Sequence, residues 1–580
     1  MTHPGRCKPA PGRRCRWLTL ACAFAVAPSA LGQVLPGIAP PVDQLRRPGD
    51  VPLIVPEPQA PPKLPEIKAP SLTPGAPTLS QGARVAARAF RFTGNTVVPE
   101  AELQALAAPF VGRELGNAEL EELRQLITRR YIDAGYINSG AVIPDQDVTA
   151  GTITYEIVEG RLTEILVSGD NRFRPGYLRD RLALGASPVL NVNRLQERIQ
   201  IMLQDPQIER IAAGLAPGTQ RGDAQLQADV TGTSPFIAGI GFSNDRSPVV
   251  GADQMELLLG TRNLLGHGES LTLRSGQTRG VEDYFIGLTV PVTPWGTLLQ
   301  LRHQYTRSRV LEAPFDQLDI TARSMSSDLG FSHPLMEHPQ RSLAASAMVV
   351  KRTTENFFLG QPSPFIPGAP DGRTRVSALR AGLDWVDRSI DRVIAARGLL
   401  SFGLNAFGST IGEGFGDSRF TAALAQFQWV QRAFSGAGQL VLRAEAQFAD
   451  DMLPGPEKYS IGGMDSVRGY RKDLLVRDTG WFGSIEYRHT LGQLALRENP
   501  APGEGLIRAA LFLDLGEARD HRGPSFPGVI AGIGPGVRWE PVPGFDVQFY
   551  WGFALRDVPT PTRTSQDRGL HLRVAYNKAF

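Results

Sequence analysis

The chain has 580 residues, 62 glycines, 46 prolines, three cysteines and a formal net charge of +3. It is too long for one ordinary domain, and so even a charge balance gives no footprint for nucleic acid. The cysteines are Cys7, Cys15 and Cys22, so the rest of the chain offers no disulfide, reactive thiol or cysteine metal site.

Residues 1–32 read as an export signal. Arg6, Lys8, Arg13, Arg14 and Arg16 form a basic head, Trp17 to Ala27 an apolar run, and "SALGQ" supplies small residues for cleavage after Gly32. The run is shorter than the about 20 residues that a membrane-spanning helix needs. A lipoprotein reading through Cys22 stays open, although "TLAC" lacks the usual leucine three residues earlier. No later segment is apolar for about 18 residues, so an exported chain of this kind is periplasmic, secreted or an outer-membrane β-barrel. Residues 33–87 form a proline-rich linker, expected to be extended and semi-rigid because proline fixes φ and removes donors.

Residues 88–160 and 161–233 repeat one plan of strand, helix, helix, strand, strand. In the first unit "RAFRFTG" predicts a strand and "PEAELQALAAPF" a helix. A second helix runs from an N-cap at about Asn117 to Gly135, with Leu120, Leu123, Ile127, Tyr131 and Ala134 on one face. "GAVIPDQDV" and "GTITYEIVEG" supply its last strands. The second unit opens on "RLTEILVSG" and has a short helix near Tyr177 to Leu184. A longer helix carries Val192, Leu195, Ile199 and Met202, and "QIERIAAGLAPG" and "AQLQADVTG" close the unit. Two helices on one face of a small sheet leave an open sheet edge, which invites another strand. The plainer alternative is a pair of spacers that bind nothing.

From residue 234 to 580 the helical spacing gives way to period two. "LIRAALFLDLG" sets Ile507, Ala509, Leu511, Leu513 and Leu515 against Arg508 and Asp514. "FDVQFYWGFALR" and "GQLVLRAEAQF" alternate in the same way. Sixteen such segments start near residues 236, 253, 269, 282, 296, 318, 340, 375, 392, 419, 437, 480, 506, 528, 544 and 569. Gaps after odd-numbered segments are often long and those after even-numbered ones mostly short, the asymmetry of a transmembrane barrel; the gap at 490–505 breaks the rule. Trp481, Trp539 and Tyr576 near segment ends suit an interfacial girdle. The fold expected is α+β periplasmic domains followed by a sixteen-stranded antiparallel barrel.

The loop 450–479 carries "GGMDSVRGYRK". Gly469 permits a tight reversal that puts the Arg468 guanidinium at a tip, and Asp514, on the polar face of the thirteenth segment, is its natural partner. The plain alternative is a solvated loop charge and a carboxylate that merely lines the lumen.

The chain resembles the two-partner secretion (type Vb) transporters, the haemolysin secretion/activation proteins of the Bam-like barrel superfamily. "YIDAGYINSGAVIPDQDVTAGTITYEIVEGRL" resembles the first of that family's two polypeptide-transport-associated (POTRA) domains. The loop motif is matched by Val467, Arg468, Gly469 and Tyr470, and the Phe-x-Asp-x-Gly wall motif by Phe512, Asp514 and Gly516. The resemblance implies an outer-membrane pore that moves an unfolded, β-helical exoprotein of haemagglutinin or haemolysin type to the surface. The loop would fold into the barrel as a conformational latch. Partners implied are that exoprotein, outer-membrane lipid and the barrel-assembly machinery, with Phe580 as C-terminal assembly signal. No nucleic acid, metal or cofactor is expected. The proline-rich stretch departs from the pore-plugging N-terminal helix of the family. An assembly or insertion factor of the same superfamily is the alternative function, and a diffusion porin would leave 88–233 and "VRGY" without a purpose. The scattered histidines and the lack of a grouped nucleophile, base and orienter argue against an enzyme.

Overall fold

The computed structural model describes residues 84–580 except 187, 364–368, 370, 413–415, 434–435, 498–503 and 524. The expected signal and nearly all of the expected linker lie outside the described residues. The end of that linker does not: Val85–Ala87 is a strand paired with Arg113–Leu115, so folded structure begins before residue 88. Ala87, buried against the first core, draws these residues in.

In the first unit, Ala89–Thr93 lies parallel to Thr152–Val158, which pairs on its other side with Gly140–Val142. Helices Glu100–Ala107 and Asn117–Asp133 cover one face. Leu103, Leu123, Ile127, Tyr131 and Tyr155 are fully buried between helices and sheet. The longer helix is capped one residue earlier than expected. Gly116 is its N-cap, with Asn117 already helical, and the Gly116 N–H donates to Glu119 Oε2 at 2.9 Å. Gly135, at φ +92°, ends it as expected.

The second unit repeats the plan with strands Arg161–Ser168, Ile208–Pro217 and Asp223–Gly232 and helices Pro175–Ala183 and Val192–Met202. Asp223–Gly232 is the central strand, leaving the other two as edges. Asn191 caps the longer helix by accepting from the Asn193 and Arg194 N–H groups. Leu178, Leu182, Leu195, Ile199, Met202 and Val230 make its core.

Residues 236–579 form a closed antiparallel barrel. Its crossings, one to sixteen, are Phe236–Ser243, Gln254–Arg262, Ser270–Gln277, Val281–Pro291, Leu298–Arg309, Thr321–Glu337, Arg341–Phe358, Arg373–Arg388, Arg392–Leu404, Thr421–Ala433, Gly438–Ala449, Thr479–Gln493, Leu506–Arg519, Val529–Glu540, Phe545–Trp551 and Leu570–Ala579. Gln361–Pro362 only extends the loop after crossing seven, and Phe553–Ala554 resumes crossing fifteen beyond Gly552. Each crossing starts within three residues of its expected position.

The two faces are opposite in kind. Leu511, Leu513 and Leu515 are exposed on the outer wall, while Ala510, Phe512 and Asp514 between them are buried inside. An apolar outer surface of this extent requires lipid around it. Crossings one and sixteen close the wall from Ile237↔Ala579 to Ser243↔Arg573. Phe580 completes the seam: its backbone exchanges hydrogen bonds with Phe236 at 3.0 and 3.2 Å, and the two rings stack.

The second unit docks on the turns that follow crossings two, four and six. Arg174 N–H donates to Gly266 O at 2.9 Å, and Gln207 Nε2 to Gly268 O at 2.8 Å. Buried Arg198 pairs with Glu337 at 2.8 Å and donates to Pro294 O, and Gln204 reaches Pro339 O. These contacts mark the periplasmic rim and place the loops after odd-numbered crossings outside. Most are longer than the turns, though 278–280 is short. Crossing twelve runs on to Gln493, past a register shift at Thr490/Gly492, which shortens the anomalous gap from that side.

Truncating Ile127, fully buried in the first unit, to alanine should cost that unit about 2–5 kcal/mol. Limited proteolysis in urea should then cut the unit earlier while the barrel keeps its heat-modifiable mobility.

Candidate functional site

The connection between crossings eleven and twelve folds back into the barrel. Its arms, Tyr459–Ile461 and Leu475–Arg477, pair antiparallel and turn the loop into a finger whose tip carries residues 462–474. Alternation puts Tyr459, Ile461 and Leu475 on the face that meets the wall. With Val467 and Tyr470 they pack on Leu424, Phe482, Ala518 and Ile530. The contact removes apolar surface from the hydrated lumen, which is the non-directional part of the attachment.

The directional part centres on Arg468, only 1% exposed. Its Nε and Nη2 donate to Asp514 Oδ2 and Oδ1 at 2.7 and 2.8 Å, a two-pronged match of guanidinium to carboxylate. Its backbone N–H adds a third bond to Oδ2 at 3.0 Å. Nη1 pairs with Glu486 on crossing twelve, and Nη2 also donates to Ser484 Oγ at 3.1 Å. The guanidinium lies 3.7 Å from the Phe512 ring centroid and 4.8 Å from that of Tyr550. Glu486 in turn accepts from Arg488 at 2.6 Å and from the Tyr550 hydroxyl at 2.9 Å. Two cations and two carboxylates thus form a neutral buried group in which each charge has a partner of the opposite sign.

Glycines set how close the finger comes. A side chain at Gly516 would meet Val467 Cγ2 at 3.0 Å and Ile461 Cδ1 at 3.1 Å. Gly469, at φ +96°, would press against the Ala554 N and Phe553 C atoms, and a Cβ on Gly532 or Gly552 would strike the Arg468–Gly469 backbone. The tip occupies a wall made thin for it. Tyr470 turns the other way, and its hydroxyl donates within reach of Ala531 O at 3.0 Å and Arg556 O at 2.9 Å.

The structure therefore brings Val467, Arg468, Gly469 and Tyr470 together with Phe512, Asp514 and Gly516. Phe580 lies apart, at the periplasmic end of the seam. Several charged residues at the loop carry no motif. Arg471 pairs with Glu312 at 2.8 Å and with Asp567 at 2.7 Å, in the loops after crossings five and fifteen. Glu457, at the finger's root, is held by Arg380 at 2.7 Å and Arg352 at 3.3 Å, from crossings eight and seven. Asp465 shares Arg573 with Asp245. One signal was available for Arg352, Arg380 and Glu486: each is a charge on the lumen face of a period-two strand, and a buried charge requires a partner. Nothing in the sequence paired them with Glu457 or Arg468.

A family model described as haemolysin secretion/activation protein ShlB/FhaC/HecB matches residues 222–539, and one described as a ShlB-type POTRA domain matches residues 85–160. The outer membrane transporter CdiB of Escherichia coli O6:K15:H31 is 24% identical over 77% of this chain and 75% of its own length. The heme/hemopexin transporter protein HuxB of Haemophilus influenzae is 20% identical over 74% and 75%. Among solved structures, CdiB from Escherichia coli has a TM-score of 0.66 at 21% identity, covering 88% of this chain and 93% of that one. BamA from Haemophilus ducreyi, lacking its POTRA domains 1–3, has a TM-score of 0.51 at 13% identity, covering 86% of this chain and 100% of that one.

Replacing Gly516 with valine should lift the finger from the wall. A cysteine at Ser466, buried in the native fold, would be the only thiol beyond residue 22. It should resist a polar maleimide in the parent background and react at least about ten-fold faster beside G516V, since tight packing leaves no room for the added methyls.

Proposed function

We propose, for a chain that belongs to the haemolysin secretion/activation protein family, that the Arg468–Asp514 contact is the latch holding the finger inside an exporting pore. The protein is an outer-membrane transporter with periplasmic POTRA domains, and its family secretes partner exoproteins. The cargo we propose is one large, unfolded exoprotein of haemagglutinin or haemolysin type that folds as a β-helix outside. The observation that carries the latch is a fully buried, charge-balanced contact between a mobile class of element, a loop, and a fixed one, the wall.

The supporting physics is the polar lumen. Arg274, Arg302, Arg397, Arg443, Arg508 and Arg538 project from period-two strands whose other face meets lipid, so a moving chain finds donors along the bore. Capture of the exoprotein is assigned to the POTRA edges. Ile208–Pro217 is an edge of ten residues; a register shift at Ile208/Arg210 and the charges of Glu209 and Arg210 blunt its start, while Ile211 to Pro217 carries no charge and offers the open part of the edge. The expected assembly signal fits the position of Phe580, whose exposed ring stands at the seam next to Phe236.

R468A would strand the buried Asp514 carboxylate and leave Glu486 with Arg488 alone, a cost of about 3–5 kcal/mol for the docked finger. Export of the partner exoprotein should fall by at least about ten-fold while the barrel remains folded and heat-modifiable; surface immunodetection of the exoprotein reads the outcome, and normal export would remove the latch. R468K keeps the charge but loses the fork, and should fall between the two. Excising 88–233 should abolish export; a pore that exported as well without them would be acting by diffusion. Unchanged levels of other outer-membrane barrels in the R468A strain would set aside the insertion-factor alternative.

A further inference from the structure

The outer wall of crossings five to eight carries cations where the lipid-facing surface ends, and the ladder register places them in rows. Leu288, Leu301, Leu329, Val349 and Leu379 form one apolar row across five crossings. One row nearer the exterior, His303 and Lys351 flank Ser327. The next row ends on Arg375, and the outermost contains Arg307, Arg323 and Arg373. This end is external, because the other ends of the same crossings meet the second POTRA domain at Pro294, Glu337 and Pro339.

Two features of this face call for an anion. Arg307 lies directly opposite Arg323, and like charges in that relation destabilise a ladder. Arg309 and Arg373 are matched by Asp319 and Glu355. Among the described residues, Arg307, Arg323, Lys351 and Arg375 have no carboxylate within ion-pair distance. Next to these cations, on the outer wall of crossings two to five, is an apolar hollow of about 290 Å³ lined by Leu257, Leu259, Leu273, Tyr284, Ile286 and Tyr305. Tyr305 belongs to both features, as it is two residues from Arg307 on the same face.

We infer that this face binds one phosphorylated, multiply acylated glycolipid of the outer leaflet. Its phosphates sit among Arg307, Arg323, Lys351 and Arg375, and an acyl chain lies in the hollow. Guanidinium forks match phosphate oxygens, and a phosphate between Arg307 and Arg323 turns their repulsion into two attractions. The side of the wall chooses the occupant. An exoprotein passes along the lumen face, whereas these side chains stand on the lipid face immediately above an apolar row, at headgroup height. Glu282, opposite Arg307, and Glu355 are acidic neighbours in the outermost row. They leave the cations in excess and would disfavour a sparsely charged headgroup.

The test titrates the full-length transporter in neutral detergent with three lipids: bisphosphorylated lipid A, the same lipid with both phosphates removed, and phosphatidylglycerol. The bisphosphorylated lipid should bind at least about ten-fold more tightly than either of the others. The R307Q/R323Q/K351Q/R375Q variant should lose that preference while its barrel stays heat-modifiable; if it does not fold, R307Q/R323Q is scored by the same titration. L273W, which fills the hollow, should weaken the bisphosphorylated lipid too. Equal affinity for the three lipids, or a preference that survives the charge variant, overturns the proposal. So does a charge variant that keeps the lipid preference and loses export, which would assign the patch to the exoprotein.

Discussion

An arginine taken out of water has to take its counter-charges with it. Burial of a lone guanidinium costs many kcal/mol, and even a single carboxylate rarely restores all of it. Arg468 meets that constraint by joining Asp514, Glu486 and Arg488 in a neutral group, faced by the rings of Phe512 and Tyr550. Asp514, Glu486 and Arg488 lie on strands whose positions are set by the barrel ladder. The loop is therefore located by charge at one point, and its apolar face then settles around that point.

A second charge contact of opposite polarity fixes the orientation of the finger. At the tip a loop cation meets wall carboxylates; at the root a loop carboxylate, Glu457, meets wall arginines on crossings seven and eight. Four crossings lie between Arg380 on crossing eight and Asp514 on crossing thirteen. A finger slid along its axis or turned about it would place like charges together or leave some buried and unpaired, so the pattern excludes neighbouring registers as well as favouring the native one. Wall glycines make the arrangement possible, since the backbone at Arg468 and Gly469 approaches Gly532 and Gly552 more closely than any side chain would allow.

Much of the barrel was legible because lipid outside and water inside impose strict alternation, and each ladder partner repeats it. The positions of the crossings follow from that pattern alone. Boundaries were less legible where local geometry decides them. Gly116 rather than Asn117 caps a helix because the residue with extended backbone carries the cap, and Val85–Ala87 leaves the linker because Ala87 finds a core. At the site, Arg468 and Asp514 stood out by motif. Glu486, Arg471 and Glu457 did not, because the contacts that join loop to wall or loop to loop there span between 18 and 159 residues. Alternation says which face a charge occupies but not which loop returns to meet it.

The same composition bears on how the proposed latch opens. Had the finger been held by apolar packing alone, withdrawing it would expose that surface to water with nothing to replace the lost contacts. Ion pairs behave differently once water reaches them. Two unit charges 4 Å apart interact by about 1 kcal/mol in bulk water and by several times more at the effective dielectric of a protein. The contact is then strong while the tip is dry and weak after the first waters arrive. Asp465 and Arg573, at the edge of the tip, are the partly exposed members through which water would first gain access, while Arg468 is the last to be wetted. A chain rich in backbone donors and acceptors can replace those waters along the lumen. Under the proposed latch, the charge contacts weaken as water reaches them, and the remaining cost of release is the apolar face that packs on Leu424, Phe482, Ala518 and Ile530.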